Sequence, residues 1–71
     1  MNKTPKEKAK LIFNQYHNLI QEIGGDMGHE ILVSILAKHC ALIAVEQILD
    51  NDLNSIVYFY WEEVEEEINN L

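Results

Sequence analysis

Ala9, Ile12, Phe13, Tyr16, Ile20 and Ile23 recur at intervals of three, four and seven residues. That spacing lines one face of an α-helix. TPKE precedes the run: Thr4 suits the N-cap, Pro5 the first helical position, and Glu7 stands at N3 to close a capping box. Gly24-Gly25 then predicts a stop, with glycine as the left-handed C-terminal cap. The first helix is thus expected over about residues 5–23.

Asp26 is the expected N-cap of a second helix, over about residues 27–50. At 100° per residue, Val33, Leu36, Ala37, Cys40, Ile43 and Ala44 share one face, and Ser34, Ala41, Val45 and Ile48 fall on an adjoining one. Apolarity over so much of the circumference predicts a helix enclosed by neighbours. Ser34, Ala37, Ala41 and Ala44 form a stripe of small side chains, where another backbone comes close. The tightest helix contact is expected there, either within the chain or across a two-fold axis.

Asn51 to Asn54 reads as a turn. Beyond it Val57, Trp61, Val64, Ile68 and Leu71 are spaced 4, 3, 4 and 3, a heptad-like seam for a third helix over about residues 54–70. SIVYFYW alone has strand composition, but the seam continues on both sides of Trp61 and favours helix. The reading is all-α: one three-helix up-down-up domain spanning residues 1–71.

Charge refines this picture. The net charge is −7. Residues 1–23 carry +2, residues 24–51 carry −3, and residues 52–71 carry −6, from Asp52 and five glutamates without a base. Duplex DNA, bound mainly through its phosphates, is therefore not an expected partner. Lysines crowd the start of helix 1 and glutamates the end of helix 3, each against its own helix dipole. With helices 1 and 3 parallel, the two clusters are expected at opposite ends, and an antiparallel second subunit would bring them together. Size argues the same way: a domain of 71 residues buries only roughly 60% of its unfolded surface and needs reinforcement. One cysteine closes no intrachain disulfide and no zinc-site spacing occurs, so a homo-oligomer is expected. The stripe Ser34, Ala37, Ala41 and Ala44, together with Trp61, forms its expected interface.

Candidate chemistry is sparse. His39 and Cys40 are adjacent, so their side chains diverge by about 100° on a helix and do not share a metal. Cys40 reads as a small core hydrophobe and His39 as an edge residue on the side shared with Glu46 and Asp50, about two and three turns away and beyond direct hydrogen-bond reach. Lys38 either snorkels to the bundle edge or lines an interface. EEVEEE reads as a solvated face, and no Glu-x-x-His exists to build a di-iron site. GGDMGHE lacks the Gly-Lys-Ser/Thr ending of a P-loop. No nucleophile, base and orienting acid assemble, so no enzyme, cofactor, metal or catalytic residue is expected. The chain has no signal-peptide pattern. Its central apolar run is broken by Ser34, Lys38 and His39, short of the roughly 20 residues that span a bilayer. A cytoplasmic protein without a membrane segment is expected.

TPKEKAK, AKHCALIAVEQIL and YWEEVEEEINNL together resemble a recurrent group of small helical proteins from bacteriophages and prophages of Bacteroidota. That group shares a TxKEKAxxL-like start, an AKxCALIxVxxIL-like middle and a YWxxVxxEIxxL-like end. The resemblance touches about 30 residues across all three helices and implies a phage-type accessory protein in the bacterial cytoplasm, without implying a reaction. Two functional readings follow. In one, a self-associating module binds a host protein through Tyr58, Phe59 or the acidic face. In the other, an oligomer takes a small anionic ligand, such as a signalling nucleotide, at a subunit boundary carrying Lys38, His39 and the N-terminal lysines.

Overall fold

The computed structural model describes residues 3–24, 30–51 and 54–71. They form α1 (Pro5–Gly24), α2 (Glu30–Leu49) and α3 (Ser55–Asn69), and every helix packs on the other two. The all-α expectation holds, and SIVYFY is helical from Ser55 onward. Asp26 and Gly25, expected as caps, lie outside the described residues, as do positions 27–29.

Local chemistry fixes the ends of α1 and α3. The capping box forms: the Thr4 N–H and hydroxyl donate to Glu7 Oε1 at 3.1 and 2.9 Å, and the Glu7 N–H donates to Thr4 Oγ1 at 3.2 Å. Two donors that the first turn leaves without helical partners are thereby satisfied. At α3 the N-cap is Asn54, extended at φ −69° and ψ 163°, with Oδ1 accepting from the Val57 N–H at 3.0 Å. Asn70 closes the helix, its N–H donating to the carbonyls of Glu66 and Glu67.

The core is thin. Ala9 of α1, Ala41 and Val45 of α2, and Val64 and Ile68 of α3 are fully buried together, and Ala37 is buried as well. Ile12, Tyr16, Leu42, Leu49, Tyr60 and Trp61 pack around them. Among the described residues three of the six buried ones are alanines, so the helices meet through small side chains. Of the stripe predicted on α2, Ala37 and Ala41 are used inside the chain and have no surface left for a second copy, while Ser34 and Ala44 are half-buried. The seam of α3 points inward as read, except Leu71, which lies beyond the helix and is 46% exposed.

The orientation of α2 departs from expectation. Its buried edge is Ala37, Ala41 and Val45, so the face assigned to the core is rotated outward: Leu36 and Ile43 are exposed and Cys40 is half-buried. Nor is α2 enclosed on all sides, since Ile31, Leu32 and Ile35 also face outward. By length and composition alone, Ile31–Leu49 is apolar enough to cross a membrane, although Ser34, Lys38 and His39 interrupt it.

Candidate interaction surface

Lys38 spans two helices. Its Nζ donates to the backbone carbonyl of Asn69 at 2.8 Å, one of the last α3 carbonyls, which have no partner within the helix. The last turn of α3 holds no basic residue of its own. Lys38 therefore supplies, from α2, the cation that the negative end of the α3 dipole favours. Because α2 and α3 are joined at the Leu49–Ser55 end, a contact between Lys38 and Asn69 also requires the two helices to run antiparallel. His39, next in sequence, is exposed and points about 100° away around α2, and it makes no part of the Lys38–Asn69 contact.

The start of α1 is fastened to α3 by side chains from the YW pair. The Tyr60 hydroxyl donates to the Lys3 carbonyl at 2.8 Å, and Lys8 Nζ lies 5.9 Å from the centre of the Trp61 ring, within cation–π range. The Tyr60 and Trp61 rings meet edge to face at 5.5 Å. Burial of the phenol, and then the nearby charge of Glu7, push the Tyr60 pKa above its ordinary value. Glu7 is held below the ordinary carboxylate range by its hydrogen bonds from the Thr4 backbone and hydroxyl, with Lys3 adding to the effect. Trp61, assigned to an interface between subunits, is half-buried here and packs on the chain's own core.

The basic and acidic clusters are not separated as the parallel arrangement predicted. Thr4, Pro5 and Lys6 line one shallow groove with Glu63, Glu66 and Glu67, so the lysine-rich start of α1 lies alongside glutamates of α3. The charge argument for a second subunit loses its force accordingly.

A second groove, of about 520 Å³, runs along the outside of α3 between Phe59, Glu62, Glu63, Glu65, Glu66 and Asn69. Phe59 is 62% exposed and touches Tyr58 edge to face at 6.5 Å. The aromatic pair and the acidic face, two separate candidates in the sequence, thus form one surface: an apolar ring beside a row of carboxylates. Helical geometry could have indicated this, since Phe59, Glu62, Glu63 and Glu66 follow a 3-1-3 spacing on one side of a helix. Among the described residues no group of three metal-ligating side chains comes together. No family model matches the chain, and neither does any curated protein or solved structure.

Proposed function

We propose that this is a non-enzymatic, phage-type accessory protein: a self-associating helical module in the bacterial cytoplasm that acts by binding a host protein. The observation that carries the reading is the Phe59 groove, where an exposed ring is bordered by Glu62, Glu63, Glu65 and Glu66. Aromatic residues, phenylalanine among them, are enriched at protein–protein interfaces relative to the rest of the surface. A row of unneutralised carboxylates favours a basic partner, whose charges would relieve the like-charge pairs Glu62–Glu66 and Glu63–Glu67. The complementary surface is thus a basic segment with an apolar side chain to lie on Phe59. The small-ligand alternative draws less support, because the Lys38 ammonium is already engaged by Asn69.

The test is capture from a Bacteroidota host lysate with the immobilised protein, comparing wild type with Phe59→Ala and with the double variant Glu62→Lys, Glu66→Lys. A partner held by wild type and lost from both variants is the expected result. Identical recoveries from all three would remove the groove from the function.

A further inference from the structure

Between 43% and 79% of each of Ile31, Leu32, Ile35, Leu36 and Ile43 is exposed, and all five lie on the outer side of α2. We propose that this side holds a second copy of the same chain, in an antiparallel two-fold arrangement. The inference rests on the self-association read above and assigns it a surface, away from the alanine stripe and from the Phe59 groove.

Area, pattern and charge each point to that occupant. A monomer of 8.2 kDa should expose about 4,500 Å² by the usual scaling, whereas this chain exposes 5222 Å², an excess of about 700 Å². One partner in a standard stable interface buries about 800 Å², the same order as this whole-chain surplus. The outward residues Leu32, Leu36, His39 and Ile43 are spaced 4, 3 and 4, the repeat of a two-helix seam in which knobs from one helix enter holes in the other. The acidic residues of this face, Glu46 and Asp50, come only after its apolar part ends. Parallel pairing would set each carboxylate beside its own copy. Antiparallel pairing about a point near residues 37 and 38 sets Leu32 against Ile43 and Leu36 against His39, moves Glu46 and Asp50 from their own copies to the Glu30 end of the facing helix, and opposes the helix dipoles favourably. Two-fold pairing of identical surfaces is also the commonest form of self-assembly. A bilayer fits this face less well. Surface-lying helices carry lysine or arginine along their polar border, and here the border is acidic while Lys38, the only base of α2, is bound to Asn69.

Sedimentation equilibrium of the full chain over about 1 to 100 µM, with circular dichroism to verify helicity, decides the matter. Wild type should reach twice 8.2 kDa. Leu36→Glu, at an already exposed position, should keep its helicity and dimerise at least about tenfold more weakly. His39→Leu removes a polar seam residue and should tighten the dimer by about tenfold or more, a gain that misfolding would not produce. A dimer indifferent to both substitutions but broken by Phe59→Ala would overturn this seat and leave self-association standing. Wild type that stays monomeric at the highest concentration overturns both. Monomeric protein that co-sediments with phosphatidylcholine vesicles would overturn the proposal in favour of a lipid surface.

Discussion

Lys38 and Asn69 are 31 positions apart in sequence and joined by one hydrogen bond, and that bond changes what the lysine is for. In a run as apolar as LAKHCALIAVEQIL, a lone ammonium suggested a ligand contact. In the fold it completes the end of a neighbouring helix. Lys38→Met keeps the aliphatic stem and removes the donor, so it should cost about 1 kcal/mol in urea unfolding. Lys38→Arg should recover much of that loss. Glu7 makes a pH-dependent contribution whose sign follows from its lowered pKa. The stabilisation is present above the ordinary carboxylate range and is lost as pH falls through the depressed folded value. Urea midpoints of wild type and Glu7→Gln should therefore differ near neutrality and converge in acid. Tyr60 behaves oppositely: its raised pKa means stability is present below the usual phenol range and lost as pH rises through the higher folded value. In a spectroscopic titration Tyr60→Phe should remove a phenol step that lies above the usual range.

The three helices differ in how plainly their sequences declare them. TPKE and the Ala9–Ile20 spacing specify α1 through local hydrogen bonds and a single apolar stripe, so both its start and its inward face were readable. The α3 seam was equally readable from Val57 to Ile68. What α2 leaves undetermined is its rotation. Apolar residues surround it, so periodicity gives no preferred inward direction, and Leu36 and Ile43 looked as fit for the core as Val45. Close approach decides instead: Ala37 and Ala41 allow the other helices nearest, and the larger side chains turn outward. Ala41→Leu should accordingly cost about 1 to 3 kcal/mol by overpacking the contact with Ala9, Val64 and Ile68, measured as a lower unfolding midpoint. The Lys38–Asn69 and Tyr60–Lys3 bonds were beyond reach of the sequence because they depend on that rotation and on helix register. The Phe59 groove was legible in its parts, and what was missing was the recognition that ring and carboxylates lie on one side of one helix.

At the level of the whole molecule, six fully buried residues among those described are a small core for a chain 42 Å long. If a second copy covers α2, the melting temperature should rise with protein concentration, since only the folded form binds its twin. Leu36→Glu should abolish that dependence while leaving the monomer helical. Scanning calorimetry across about a hundredfold range of concentration reads both outcomes.

That slender interior also bears on gene dosage. A chain stabilised by its own copies is sparse in folded form when synthesis is low, because unpaired molecules spend longer open to proteases. Once copies are frequent enough to meet, each protects the other and the functional pool grows faster than production. Dilute expression would leave little active material, whereas a burst of transcription would cross a threshold.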